Sequence, residues 1–166
     1  AALHRSRGHL VKALPLNRES VAILRRQGEL VPLARALNNL SQTLTDLGDL
    51  ASAELVLQES LRLKETRTVD RPALARGYLQ LAELRMLRND RRGVLGKLRE
   101  AVGHARLVGD AVTVARCEFN TAELLRRSGE TRAAHQRLLS ARRLARSIPH
   151  WSKDPSRVSW IAKIEA

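Results

Sequence analysis

Residues 38–53 read Asn38-Asn39-Leu40-Ser41-Gln42-Thr43-Leu44-Thr45-Asp46-Leu47-Gly48-Asp49-Leu50-Ala51-Ser52-Ala53. Leu33, Leu37, Leu40, Leu44 and Leu47 recur at three- and four-residue steps, the spacing of one apolar helix face. Gly48 then supplies a residue that can turn left-handed and end the helix, and Asp49 follows it. A second amphipathic stretch runs from Leu50 to Leu63. A turn this short between two helices leaves them room only to fold back on each other.

The same pattern recurs twice downstream. Leu33-Ala34-Arg35, Leu40-Ser41, Gly48-Asp49, Ala53, Leu57 and Ser60 align with Leu74-Ala75-Arg76, Leu81-Ala82, Asn89-Asp90, Val94, Leu98 and Ala101. They align again with Val114-Ala115-Arg116, Thr121-Ala122, Gly129-Glu130, Ala134, Leu138 and Ala141. A partial copy precedes them, with Gly8-His9, Ala13 and Ser20 in the matching places, so the turn residues Gly8, Gly48, Asn89 and Gly129 lie 40, 41 and 40 residues apart. Such a period marks a repeat architecture. The small residues Ser41, Ala82 and Ala122, with Ala53, Ala134, Ser60, Ala101 and Ala141 on the second helices, sit where backbones must approach closely.

The expected organisation is a partial repeat over 1–29, repeats over 30–70, 71–110 and 111–148, and a tail over 149–166. Helices are expected near 9–27, 30–47, 50–66, 72–88, 91–108, 112–128 and 131–147. Residues 1–7 read as the tail of a truncated helix, and Pro15 predicts a kink or a break before it. In the tail, Val158, Ile161 and Ile164 could cover the last repeat, with Trp151 and Trp160 closing the end, as a terminal repeat requires.

This pattern resembles the tetratricopeptide repeat family over roughly residues 8–148. The period of 40 to 41 is similar to the longer-helix subgroup of kinesin light chains and bacterial signalling regulators, rather than to the family's common 34. The family's usual aromatic places hold Leu44, Arg85 and Leu125, and its proline at the end of the second helix is absent. The resemblance implies an all-α, right-handed superhelical solenoid of antiparallel helix pairs. It also implies a concave groove, lined by the first helix of each pair, that holds peptides or proteins.

Residues four apart on a helix share a face. Arg35 with Asn39, Arg76 with Gln80 and Arg116 with Asn120 therefore form a repeated arginine-and-amide pair, placed on the groove face by the resemblance. A guanidinium fork binds a carboxylate through two charge-assisted hydrogen bonds. Next on this face come Gln42, Glu83 and Glu123, then Arg127; the glutamates could instead pair with the arginines. The bland alternative is an ordinary solvated face with weak surface ion pairs.

Composition agrees with helix: Leu and Ala dominate and aromatics are 2%. A net charge of +13 raises the prior for acidic partners, although arginine richness also accompanies GC-rich genomes. The basic doublets Arg25-Arg26, Arg91-Arg92, Arg126-Arg127 and Arg142-Arg143 are solvated faces first and phosphate contacts second. One cysteine, Cys117, suits a reducing compartment such as the cytoplasm. No stretch approaches a membrane span. No phosphate-binding loop, nucleophile elbow or metal-ligand spacing is present, so neither catalysis nor a cofactor nor a metal is expected. Cys117 reads as a small core residue.

The resulting expectation is a protein-interaction module, part of a larger bacterial regulator or scaffold, that binds a peptide or protein segment, acidic ones included. The alternatives are a sensing domain whose groove ligand controls an attached output, a nucleic-acid-associated module, and self-association into a homo-oligomer.

Overall fold

Five of the turns in this chain are closed by one device. Gly28, Gly48, Asn89, Gly109 and Gly129 all adopt positive φ, between 56° and 87°. In each case the next residue is acidic, and its amide donates back to the carbonyl five residues earlier. Glu29 reaches Leu24 at 3.2 Å, Asp49 reaches Leu44 at 2.9 Å, Asp90 reaches Arg85 at 2.9 Å, Asp110 reaches Ala105 at 2.9 Å and Glu130 reaches Leu125 at 3.0 Å. This is the Schellman geometry, which satisfies carbonyls left over at a helix end. Asn89 is the one residue other than glycine found in this conformation among the described residues, and asparagine tolerates it better than most.

The structure is a computed structural model, and it describes residues 2–68 and 70–148. Over these the chain is all-α: α1 (Ala2–Gln27), α2 (Leu30–Leu47), α3 (Leu50–Leu63), a π-helical turn (Lys64–Thr68), α4 (Arg71–Leu87), α5 (Val94–Leu107), α6 (Ala111–Arg127) and α7 (Thr131–Ser147). Helices pack on their neighbours in chain order, and α4 also reaches α6. Acidic residues after the turns also cap helix starts. Asp49 accepts from the Ser52 amide, Asp70 from that of Ala73 and Asp110 from that of Thr113, each satisfying a donor that has no partner inside its helix.

The core is leucine and alanine. Leu37, Leu57, Leu84 and Leu98 are at most 2% exposed, and they interleave with small residues at the crossings. Ser41, Ser60, Ala53, Ala82, Ala101 and Ala141 are fully buried. The two serines are satisfied by carbonyls of the facing helix: Ser41 donates to Ala53 at 2.9 Å and Ser60 to Ala34 at 2.7 Å. Their hydroxyls therefore stitch α2 to α3 from both sides of one crossing. Between α3 and α4 the backbone at Gly77 packs directly against the Leu61 side chain. A Cβ on Gly77 would lie 2.7 Å from a Leu61 methyl. Polar links join the same helices. Glu54, on α3 and nearly buried, holds Arg85 of α4 at 2.8 Å and also the Arg88 guanidinium just beyond α4.

Two sequence expectations need correction. Gly8 is not a turn: α1 runs unbroken from Ala2 through it to Gln27. A lone glycine in a helix costs only about 1 kcal/mol, too little to stop a helix of this length. The break that Pro15 allowed does not occur either, for α1 continues past it. Proline removes one hydrogen bond from the ladder, and Pro15 is exposed, so water can reach the carbonyl it strands. The turn that does begin the series is Gly28-Glu29, twenty residues before Gly48-Asp49. The covering role read for 149–166 lies outside the described residues.

The spacing also locates an irregularity. Gly28 to Gly48, Asn89 to Gly109 and Gly109 to Gly129 are each twenty residues, whereas Gly48 to Asn89 is one more than two such steps. The π-helical turn Lys64–Thr68 falls inside that interval. No glycine or asparagine stands at 67–69 to favour a left-handed exit. Past Leu63 the chain widens into a π turn, which takes up one extra residue.

Leu57→Ala should destabilise the fold by about 2–5 kcal/mol, the range for emptying a fully buried leucine site. Denaturant unfolding followed by circular dichroism measures it, and a loss below 1 kcal/mol would contradict the packing described.

Candidate functional site

The three first-of-pair helices each turn one face toward a common groove of about 960 Å³. From α2 come Arg35, Asn38, Asn39 and Gln42; from α4, Arg76, Leu79, Gln80 and Glu83; from α6, Val112, Thr113 and Arg116. The capping residues Asp70 and Asp110 and the π-turn residue Lys64 complete the polar lining. Arginine recurs at the same helix position in α2, α4 and α6, so repetition of the helix phase sets Arg35, Arg76 and Arg116 around one space.

The three rungs differ in chemistry. The Arg116 guanidinium donates to both oxygens of Glu83, at 2.7 and 2.9 Å, and the Asn120 amide donates to the same carboxylate at 3.0 Å. The third arginine-and-amide pair is thus occupied by a side chain of α4. In the first two rungs, Arg35 and Arg76 are exposed to the groove, and neither pairs with a carboxylate among the described residues. The amide of the second rung is linked across the helices, Gln80 donating to Gln42 of α2 at 3.0 Å, and Gln42 in turn donates along α2 to Asp46 at 2.8 Å.

The three carboxylates that face the groove are all committed. Asp70 caps α4, Asp110 caps α6 and also accepts from the Thr113 hydroxyl at 2.7 Å, and Glu83 is held by Arg116. On the cationic side Lys64 is 6% exposed, with its ammonium 3.5 Å from the Asn38 side-chain oxygen. Burial pushes the Lys64 pKa below its ordinary value, against the pull of Asp70 and with the help of Arg76.

Of the ten residues read from the sequence, seven line the groove: Arg35, Asn39, Gln42, Arg76, Gln80, Glu83 and Arg116. Asn120 is buried behind Glu83 and is not part of the lining. Glu123 and Arg127 also lie outside it: Glu123 pairs with Arg126 at 3.1 Å and with Arg127 at 3.9 Å. The groove ends before that turn of α6. Sequence reasoning missed Asn38, Lys64, Asp70 and Asp110. The two aspartates carried a signal, since they stand forty residues apart immediately before aligned helices. Lys64 stands in register with Ala105 and Ala145, so a cation at a place that holds alanine in the other repeats was its signal.

Cys117 faces away from chemistry. It is fully buried on α6, and burial, reinforced by Glu83, pushes its thiol up to about 12. At pH 8 only about one molecule in ten thousand would carry the thiolate that reacts. A thiol reagent should therefore label native protein at least a hundredfold more slowly than denatured protein; comparable rates would place the thiol elsewhere. No group of His, Cys, Asp and Glu suited to a metal ion occurs among the described residues.

No protein-family model matches the chain, and no curated protein matches it either.

Proposed function

We propose that the chain is a tetratricopeptide-like solenoid, a right-handed stack of antiparallel helix pairs, that binds an acidic peptide or protein segment. It would serve inside a larger regulator or scaffold, in a reducing compartment such as the cytoplasm. No described helix is long and apolar enough to cross a membrane.

One observation carries the ligand class. The groove holds two arginines, Arg35 and Arg76, with no carboxylate partner among the described residues, while each of the carboxylates described in its lining is already engaged. An unpaired guanidinium beside carboxamides is a ready donor set for an incoming carboxylate. The neutralised third rung makes the groove asymmetric, so an acidic side chain or terminal carboxylate would be held at the α2 and α4 end. Packed helices supply a fixed spacing, which limits the ordering needed on binding. This is groove binding without chemistry on the ligand.

The test is selection from a random peptide library displayed on phage, followed by affinity measurement. Acidic sequences should be enriched. Arg35→Ala with Arg76→Ala should weaken the selected peptide by at least about 100-fold, from two charge-assisted bonds of about 1.5–3 kcal/mol each. Glu83→Gln frees Arg116 and should tighten binding of a peptide bearing a further carboxylate. Enrichment of neutral or basic peptides, or an unchanged affinity in the double variant with its helical signal intact, would sink the reading.

A further inference from the structure

The last described helix has a charge pattern unlike the others. Helices α1 to α6 each carry at least one Asp or Glu, whereas α7 carries five arginines and no acidic residue. Its packing face is made of small residues: Ala134, Ala141 and Ala145 are buried where α7 meets α6. The opposite face is a stripe of Arg132, Gln136, Leu139, Arg143 and Arg146, spaced by four, three, four and three residues, every one exposed. That spacing keeps them on one side of a helix.

Arg18, Arg62 and Arg99 are also exposed and in no ion pair among the described residues, but each stands on a helix that carries an acidic residue, and the α7 stripe does not. Arg25 is on Glu59, Arg126 and Arg127 are on Glu123, and on α7 itself Arg137 is on Glu118 at 3.1 Å. Arg132, Arg143 and Arg146 have no such partner among the described residues. Next to them the Arg142 Nε is buried and makes no hydrogen bond.

We infer that the arginine stripe of α7 is a docking surface for the phosphate backbone of double-stranded nucleic acid. This is a second surface, independent of the groove. From Arg132 to Arg146 the helix advances about 21 Å at 1.5 Å per residue, a length along which a duplex presents about a dozen phosphates. Three guanidinium forks on a rigid rod can each meet a phosphate through paired N–H donors. Duplex is favoured over single strand because the stripe has no aromatic ring on which an unstacked base could lie. Phosphate contact alone reads no sequence, so the binding is sequence-independent.

The experiment uses the whole chain with two unrelated DNA duplexes of about 20 base pairs and one RNA duplex, at about 50 mM salt and above. A duplex should bind with micromolar or weaker affinity, regardless of sequence. The slope of log K against log salt should fall by about 2 to 3 in Arg132→Gln/Arg143→Gln/Arg146→Gln, each lost phosphate contact removing about 0.9. Affinity should drop at least tenfold. A control of equal charge change, Arg18→Gln/Arg62→Gln/Arg99→Gln, should keep most of the binding, and so should the Arg35 and Arg76 groove variant. No duplex binding at low salt overturns the inference. So does equal loss in both triple variants, which would reduce it to net charge. Arginine-dependent binding to phosphatidylserine vesicles without duplex binding overturns it in favour of a membrane surface. If the α7 triple variant loses helical signal, Arg143→Gln alone should still weaken binding about two- to threefold, and an unchanged affinity there also refutes it.

Discussion

Five helix ends among the described residues must give way to the next segment while leaving the carbonyls of the last turn satisfied. A left-handed residue followed by a 6→1 hydrogen bond meets both demands at once. It occurs at Gly28, Gly48, Asn89, Gly109 and Gly129, so five turns share one geometry. Shared turn geometry gives the successive helices a common rotational phase. That phase is why buried leucines recur at equivalent places, and why Arg35, Arg76 and Arg116 converge on one groove rather than pointing to three sides. The acidic residue after each turn adds a second function, since at Asp49 and Asp110 its carboxylate caps the helix that follows.

The fold was largely legible in the sequence because its determinants are local and periodic. The leucine steps from Leu33 to Leu47 and the repeated Gly-Asp or Asn-Asp pairs depend only on neighbours a few residues away. Gly8 misled for an instructive reason. Its position in the period matched, but a glycine permits a turn without compelling one, and nothing else at 8–10 supplies the acidic residue found after the other turns. Gly28-Glu29 has that residue and makes the turn. The groove was partly legible. Helix phase put seven of the ten residues along the groove, but which of them remain available depends on contacts between helices. Glu83 reaches Arg116 and Asn120 across thirty-three and thirty-seven positions, a pairing that no periodicity announces.

Charge is spent unevenly over the molecule. With seventeen acidic residues against thirty basic ones, carboxylates are the scarce partner, and their placement decides which arginines stay available. Several sit between helices, as Glu54, Glu83 and Glu118 do, where partial burial strengthens their attraction to a neighbouring guanidinium. Among the described residues the arginines in no ion pair include Arg35 and Arg76 at the α2 and α4 end of the groove and Arg132, Arg143 and Arg146 on the outer face of α7, beside scattered ones such as Arg18, Arg62 and Arg99.

The π turn at Lys64–Thr68 shows how such a stack withstands a change in length. One residue added inside a continuous α-helix would rotate everything after it by about 100°, and every later leucine would leave the core. Widening one turn confines that error to five residues, so α4 to α7 keep their phase. At the start of that turn, in register with the buried Ala105 and Ala145, stands Lys64, a buried cation that borders the groove. A change of length contained in one turn leaves the buried positions on either side of it in register, so the scaffold tolerates the change without redesigning its core.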